Sequence, residues 1–247
     1  MTAPPQAFGF DLFIPAYRPM RCGDWQLRIV GMSLVPGYWS APVLARDMAV
    51  LTRGGDTWMS MTPYELESQE IGVRLAHGHV LVFGLGMGWS AAASALNDAV
   101  SAVTVIEFDP DVLAMHRELN VFDQLPPAAR AKIRIEQGDA YAYRPSMPVD
   151  LLMPDIWQPL VSDGRVDEVR RMQAHVNARA IYFWGQEMEI ARHAARAGRA
   201  LDRAGIAATI AGFGLPLIGL ELSDYPERVA HVAQRWMNGR WLPALSA

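Results

Sequence analysis

The 247-residue chain holds a single cysteine, Cys22, and a single lysine, Lys132. One thiol excludes an internal disulfide and leaves no cysteine cluster for a zinc site. Nothing near Cys22 looks like its base, so it reads as a small, half-buried residue and not as a nucleophile. Schiff-base chemistry would fall on Lys132 alone, in the charged segment Ala131-Lys132-Ile133-Arg134, which is expected to be exposed. No apolar run approaches the roughly 20 residues that cross a bilayer, so no membrane is expected as a partner. Met1 to Phe13, with Pro4, Pro5 and Asp11, lacks the basic segment and apolar core of a signal peptide, and a cytoplasmic location is expected. Positive charge is not in excess either: 22 basic against 26 acidic residues give a net charge of -4, too little to hold a nucleic-acid backbone. The six histidines show no metal-ligand spacing, so no metal is expected. His193 alone is a candidate for a substrate-side base.

What the chain does have is apolar material, 51% hydrophobic against 19% charged residues, enough for a buried core. Near residue 78 its character changes. Before that point, stretches such as Trp25 to Val30 and Met48 to Thr52 alternate with Gly and Pro, and Arg53-Gly54-Gly55-Asp56 reads as a hairpin turn into Thr57 to Met61. A helix is predicted over Pro63 to Ala76, capped by Thr62, with Leu66, Ile71, Val73 and Leu75 on its apolar side and Glu65 and Glu67 on a solvated face.

Beyond residue 78 strands and helices alternate. Strands are predicted at His79 to Phe83, Ala102 to Ile106, Ile133 to Glu136, Val149 to Met153 and Ala180 to Trp184. Helices are predicted at Ser90 to Leu96, Pro110 to Leu119, Val166 to Asn177 and Glu187 to Ala204, with a last one at Pro226 to Met237. Ile206 to Phe213 and Leu217 to Leu222, around Gly214-Leu215-Pro216, read as two final strands. Such alternation requires parallel strands joined by crossover helices. The fold class is therefore α/β, a doubly wound, Rossmann-like, mostly parallel sheet over 78–247, with a β-rich accessory region and linking helix over 1–77.

The strongest chemical signal is Val80-Leu81-Val82-Phe83-Gly84-Leu85-Gly86-Met87-Gly88-Trp89-Ser90, a buried strand running into three alternating glycines and a helix of small residues. That arrangement brings bare backbone to a ligand at a helix N-terminus. The spacing departs from the dinucleotide fingerprint, whose third small residue is here Trp89, and this disfavours a pyrophosphate. The next strand ends in Glu107, about 20 residues on, where a carboxylate can accept from both hydroxyls of a ribose. Asp139 follows the third strand, where it could accept from an adenine amine or simply close an Asx turn. Asp155 follows the fourth. Four successive strand ends thus carry glycines or carboxylates on the side where open α/β sheets bind ligands.

These residues, in this order, resemble class I S-adenosylmethionine-dependent methyltransferases, and more closely their spermidine synthase-like branch, over roughly residues 48 to 160. The resemblance implies S-adenosylmethionine as cofactor. It matches Gly84, Gly86 and Gly88 to the glycine motif, Glu107 and Asp109 to a ribose-binding Glu-x-Asp, and Asp139, with Ala140 beside it, to an adenine-contacting Gly-Asp. Asp155 matches the first aspartate of an Asp-x-x-Asp-Pro loop, and Glu65, Gln69 and Glu70 match a Glu-x-x-x-(His or Gln)-Glu pattern; Gln69 is a candidate contact to the methionine part of the cofactor, the alternative for all three being a solvated helix face. The departures bear on the reaction. The loop's second aspartate is Gln158, an amide that cannot act as a general base. Met87, Ser68 and Met59 likewise replace polar positions of the branch, so aminopropyl transfer is disfavoured. Methyl transfer to a small-molecule acceptor is the expected activity, with Asp155 as catalytic base or cofactor ligand and with Trp157 and Gln158 toward the substrate. A nucleoside-binding protein without turnover is the alternative, and a homodimer is a reasonable assembly.

Overall fold

The glycines and prolines that punctuate the first sixty residues fold the chain into an antiparallel sheet of four strands: β1 (Met20–Cys22), β2 (Trp25–Val35), β3 (Val43–Arg53) and β4 (Asp56–Ser60). A computed structural model describes residues 12–242, so Pro4, Pro5 and Asp11 of the N-terminal stretch lie outside the described residues. Gly54 and Gly55, with φ of 58° and 98°, make the two-residue turn between β3 and β4. The β2–β3 ladder runs from Trp25↔Arg53 to Val35↔Val43, further than the residue pattern indicated.

Helix α1 (Pro63–Arg74) starts where Thr62 accepts from the Glu65 amide at 3.5 Å. It has no solvated face at its start: Glu65 and Glu67 are both buried, contrary to the sequence expectation. The reason is tertiary. Glu67 accepts from the amides of Trp39 (2.9 Å) and Ser40 (3.1 Å), which fastens the β2–β3 connection over the helix.

The second sheet is parallel, with strands β5 (Gly78–Phe83), β6 (Val100–Glu107), β7 (Ile133–Gln137), β8 (Leu151–Pro154) and β9 (Ala180–Ile181) in the order β7-β6-β5-β8-β9. The chain winds outward from β5 through α2 (Trp89–Leu96), β6 and α3 (Pro110–Leu119) to β7, passes the short α4 (Pro127–Arg130) on the way, and returns to place β8 beside β5. That reversal is the switch point at which an open sheet leaves a crevice beyond its strand ends. Val80 to Phe83 are all buried, as a central strand covered on both faces requires. One cluster of buried side chains runs from Trp25 and Leu27 of the first sheet, through the second sheet, to Met237.

The C-terminal part departs from the sequence reading. Helix α5 (Arg165–Val176) and the last helix, α8 (Tyr225–Trp236), fall where expected. By contrast α6 (Gln186–Arg196) stops eight residues short, where Gly198 turns left-handed at φ 62°. Ile206 to Phe213 is no strand but most of α7 (Arg203–Phe213), whose N-cap Asp202 accepts from the Gly205 amide at 2.7 Å. Leu217 to Leu222 contributes only a single bridge, Ile181↔Leu217. Lys132 is half-buried instead of exposed, because its ammonium caps the end of α2 through the carbonyls of Ala95 and Asn97, both at 3.0 Å. Among the described residues no helix is long and apolar enough to cross a membrane.

Candidate functional site

The register of the parallel sheet ends its strands at one level: Phe83 pairs with Ile106 and with Pro154, and Glu107 with Gln137. Above that level lies a cavity of about 390 Å³. Its floor is the glycine loop with Glu107, Asp139, Ala140 and Asp155, and its roof comes from the first sheet through Trp25, Arg53, Trp58 and Met59. The residues expected at four strand ends are thus brought to one place. The accessory β region is expected from the sequence to pack beside the pocket; which of its residues form the roof is not.

The glycines divide in role. A side chain at Gly84 (φ 93°) would run into the Asp155 carbonyl, so the ends of β5 and β8 approach as only glycine allows. Gly86 lines the cavity under Met59, whose Sδ accepts from the Met87 amide at 3.0 Å. Gly88, at the start of α2, faces His116 and Phe122 and is not among the cavity-lining residues.

Glu107 accepts from the Leu85 amide (2.8 Å) with Oε2 and from the Asp109 amide (2.7 Å) with Oε1. Each oxygen keeps lone-pair capacity toward the cavity. Burial raises the pKa of this carboxyl, and the backbone donors oppose the rise. Asp109 also reaches the cavity, but its oxygens are engaged: Oδ1 caps α3 through the Asp111 amide (2.9 Å), while Oδ2 accepts from the Trp25 indole (2.9 Å) and stands 3.6 Å from the Arg53 guanidinium. Asp139 is exposed at the cavity edge and closes an Asx turn on the Tyr141 amide at 2.9 Å.

Asp155 accepts from the Gln69 amide at 2.7 Å. Gln69 in turn accepts from the Ser90 hydroxyl and reaches Glu65 at 3.5 Å, so it stands behind Asp155 and is not among the cavity-lining residues. Burial pushes Asp155 well above the usual carboxylate range, against the favourable Gln69 bond and the field of Arg165. Glu65 is pushed up too, by burial and then by the Asp155 charge. Two carboxyls joined through one amide in an apolar setting titrate as a pair.

Trp157 lines the cavity and rests on Arg165, whose guanidinium lies 3.9 Å from the ring centroid. Sequence reasoning missed Arg165, a fully buried cation that no local pattern marks. Gln158 turns away, donating to the Thr57 carbonyl at 3.2 Å, and lines a second cavity. His193 lies elsewhere, against Phe213 in a depression with Arg170 and Arg196, which removes it as a base for this site. The Cys22 thiol is pushed up by burial and by Asp111, the direction opposite to nucleophile activation. No group of residues able to hold a metal occurs among the described residues.

The first cavity therefore presents Glu107, Asp109, Asp139 and Asp155 against one cation, Arg53. The chain matches no protein-family model and no curated protein. Among solved structures it is similar to the glycopeptide N-methyltransferase MtfA complexed with (S)-adenosyl-L-homocysteine, at 23% identity over 44% of this chain and 41% of that one, with a TM-score of 0.33. It is also similar to the methyltransferase domain of bacterial CtHen1-C, at 17% identity over 48% of this chain and 65% of that one, with a TM-score of 0.36. A third is the DhpI-SAM-HEP complex, at 18% identity over 47% of this chain and 50% of that one, with a TM-score of 0.33. The chain spans less than half the length of MtfA.

Proposed function

We propose that this protein is an S-adenosylmethionine-dependent methyltransferase acting on a small-molecule acceptor. The observation that carries the reading is the meeting of Gly84, Gly86, Glu107, Asp139 and Asp155 on one roofed cavity of about 390 Å³, a size in the range of small-ligand sites. The donor set fits a cationic nucleoside. Glu107 is placed for vicinal ribose hydroxyls, Asp139 and Ala140 for the adenine edge, and the bare backbone of Gly84 and Gly86 for close approach. A lining of four carboxylates and one arginine favours a sulfonium and an ammonium and repels a pyrophosphate, which argues against a nicotinamide dinucleotide.

When bound, the cofactor supplies a methyl group already activated on sulfonium, so the chain has to align the acceptor and take a proton where the acceptor carries one. Asp155, oriented by Gln69, is the group placed to do so. The roof of Trp25, Trp58 and Met59 lays apolar surface over the same space.

Isothermal titration with S-adenosylmethionine and its demethylated product tests the reading, and no binding of either at millimolar concentration would overturn it. A cell extract incubated with labelled cofactor separates catalysis from storage: binding without labelled product would identify a nucleoside-binding protein instead.

A further inference from the structure

The second cavity, of about 410 Å³, shares Trp58 and Met59 with the first and lies on the other side of them. It has no role in the nucleoside reading. Its walls are aromatic: Trp58, Tyr64, Trp184, Trp236 and Trp241, with Tyr64 and Trp236 packed edge to face at 4.7 Å between centroids. The indole N–H of Trp184 donates to the Ser68 hydroxyl and that of Trp236 to the Tyr38 carbonyl, both away from the cavity, so these two rings offer it only carbon.

Into this apolar space opens one carboxylate, Glu65, of which only 6% is exposed. Its one hydrogen bond among the described residues is a long one, 3.5 Å from Gln69, and the better bond of that amide goes to Asp155. A buried carboxylate so poorly partnered is costly unless something else supplies its counter-charge. Among the described residues no cation does. The cationic lining residue, Arg240, is exposed at the rim, where it lies over Trp241 at 5.8 Å, and forms no ion pair with Glu65.

We infer that the second cavity binds a small amine, a single ammonium on an aromatic or other apolar body, with Glu65 as its counter-ion and the rings as its walls. An ammonium is drawn both to the carboxylate and to the faces of electron-rich rings, and desolvation strengthens both attractions. The lining contains no second carboxylate, so a polyamine would leave an ammonium unpaired. The site stands independently of the methyl-transfer reading. Met59 and Trp58 stand between this site and the first cavity, so it is a separate binding site and not the position of the methyl acceptor.

Isothermal titration with phenethylamine, its neutral analogue 2-phenylethanol, and spermidine tests the inference on the intact protein. Phenethylamine is expected to bind at least tenfold more tightly than 2-phenylethanol, and Glu65→Gln to remove the difference. Should that variant fail to fold, Trp241→Leu is expected to weaken phenethylamine more than 2-phenylethanol. Equal affinities in the wild-type protein, binding of none of the three, or spermidine binding as tightly as phenethylamine would each overturn it. A parallel titration with S-adenosylhomocysteine keeps the two readings apart: amine selectivity without nucleoside binding sinks the proposed function alone, and nucleoside binding without amine selectivity sinks this inference alone.

Discussion

The Gln69 amide donates to Asp155 at 2.7 Å and to Glu65 at 3.5 Å, so one side chain holds the carboxyls that line two adjoining cavities. A hydrogen bond of this kind favours the charged form of its acceptor. Gln69→Leu removes it. The titration of Asp155, already raised by burial to about 7, is expected to move higher. With Asp155 as the base of the proposed methyl transfer, the rate is expected to rise with pH through a later midpoint, and a pH–rate profile of wild type and variant reads the displacement. An unmoved midpoint would remove Asp155 from the proton chemistry.

Glu107 has two duties, toward the Leu85 and Asp109 amides and toward the cavity. Glu107→Ala is expected to weaken S-adenosylhomocysteine by about 1.5–3 kcal/mol, the range for charge-assisted bonds. Glu107→Gln, which keeps an acceptor, should lose less. Calorimetric titration of both variants measures the order, and an unchanged affinity for Glu107→Ala would show that the ribose lies elsewhere.

Gly84 and Gly54 both have positive φ, yet only the former faces an obstacle, the Asp155 carbonyl, where the latter has open space. Left-handed strain costs on the order of 1 kcal/mol at either position, and collision with fixed backbone adds to it at Gly84. Gly84→Ala is therefore expected to lower stability in urea by at least about 2 kcal/mol more than Gly54→Ala does. Equal losses would mean that β5 and β8 do not approach so closely.

Glu187 is fully buried beneath three hydroxyls, those of Tyr38 (3.3 Å), Tyr182 (3.1 Å) and Tyr225 (3.3 Å), and burial raises its pKa to about 7. Its folded-state pKa lies above its unfolded value of about 4.3, so the folded protein binds the extra proton between the two. The contribution of Glu187 to stability is fully present below about pH 4 and is lost as pH rises through about 7. Glu70, raised by burial to about 8 against the pull of Arg74, acts in the same sense. Urea unfolding is expected to give lower stability at pH 8 than at pH 5, and Glu187→Gln to flatten that decline. A steeper decline in the variant would contradict the assignment.

Sequence alone determined the parallel sheet and the floor of the site. Strands β5 and β6 and helices α2 and α3 rest on local causes, a buried apolar run, a glycine break or an early proline, and these are written in neighbouring residues. The same holds for Gly84, Glu107, Asp139 and Asp155, because strand ends fix where such residues fall. Helix α7 was misread as a strand for want of weight on its cap, Asp202, since a short apolar run has no period that separates the two. What only the tertiary structure decided depends on partners far along the chain. The burial of Glu67 follows from the β2–β3 connection closing over α1, that of Glu65 from its place beside Trp184, Trp236 and Trp241, and the roof from Trp25 bonding Asp109, 84 positions away. Gln69 was read as a cofactor contact and stands behind Asp155, and Gln158 went to a second cavity that no motif announced. Local geometry is set by steric and hydrogen-bond rules that act over a few residues. Which carboxylate loses its water is set by the packing of distant segments, and that choice gives Glu65 and Asp155 their chemistry.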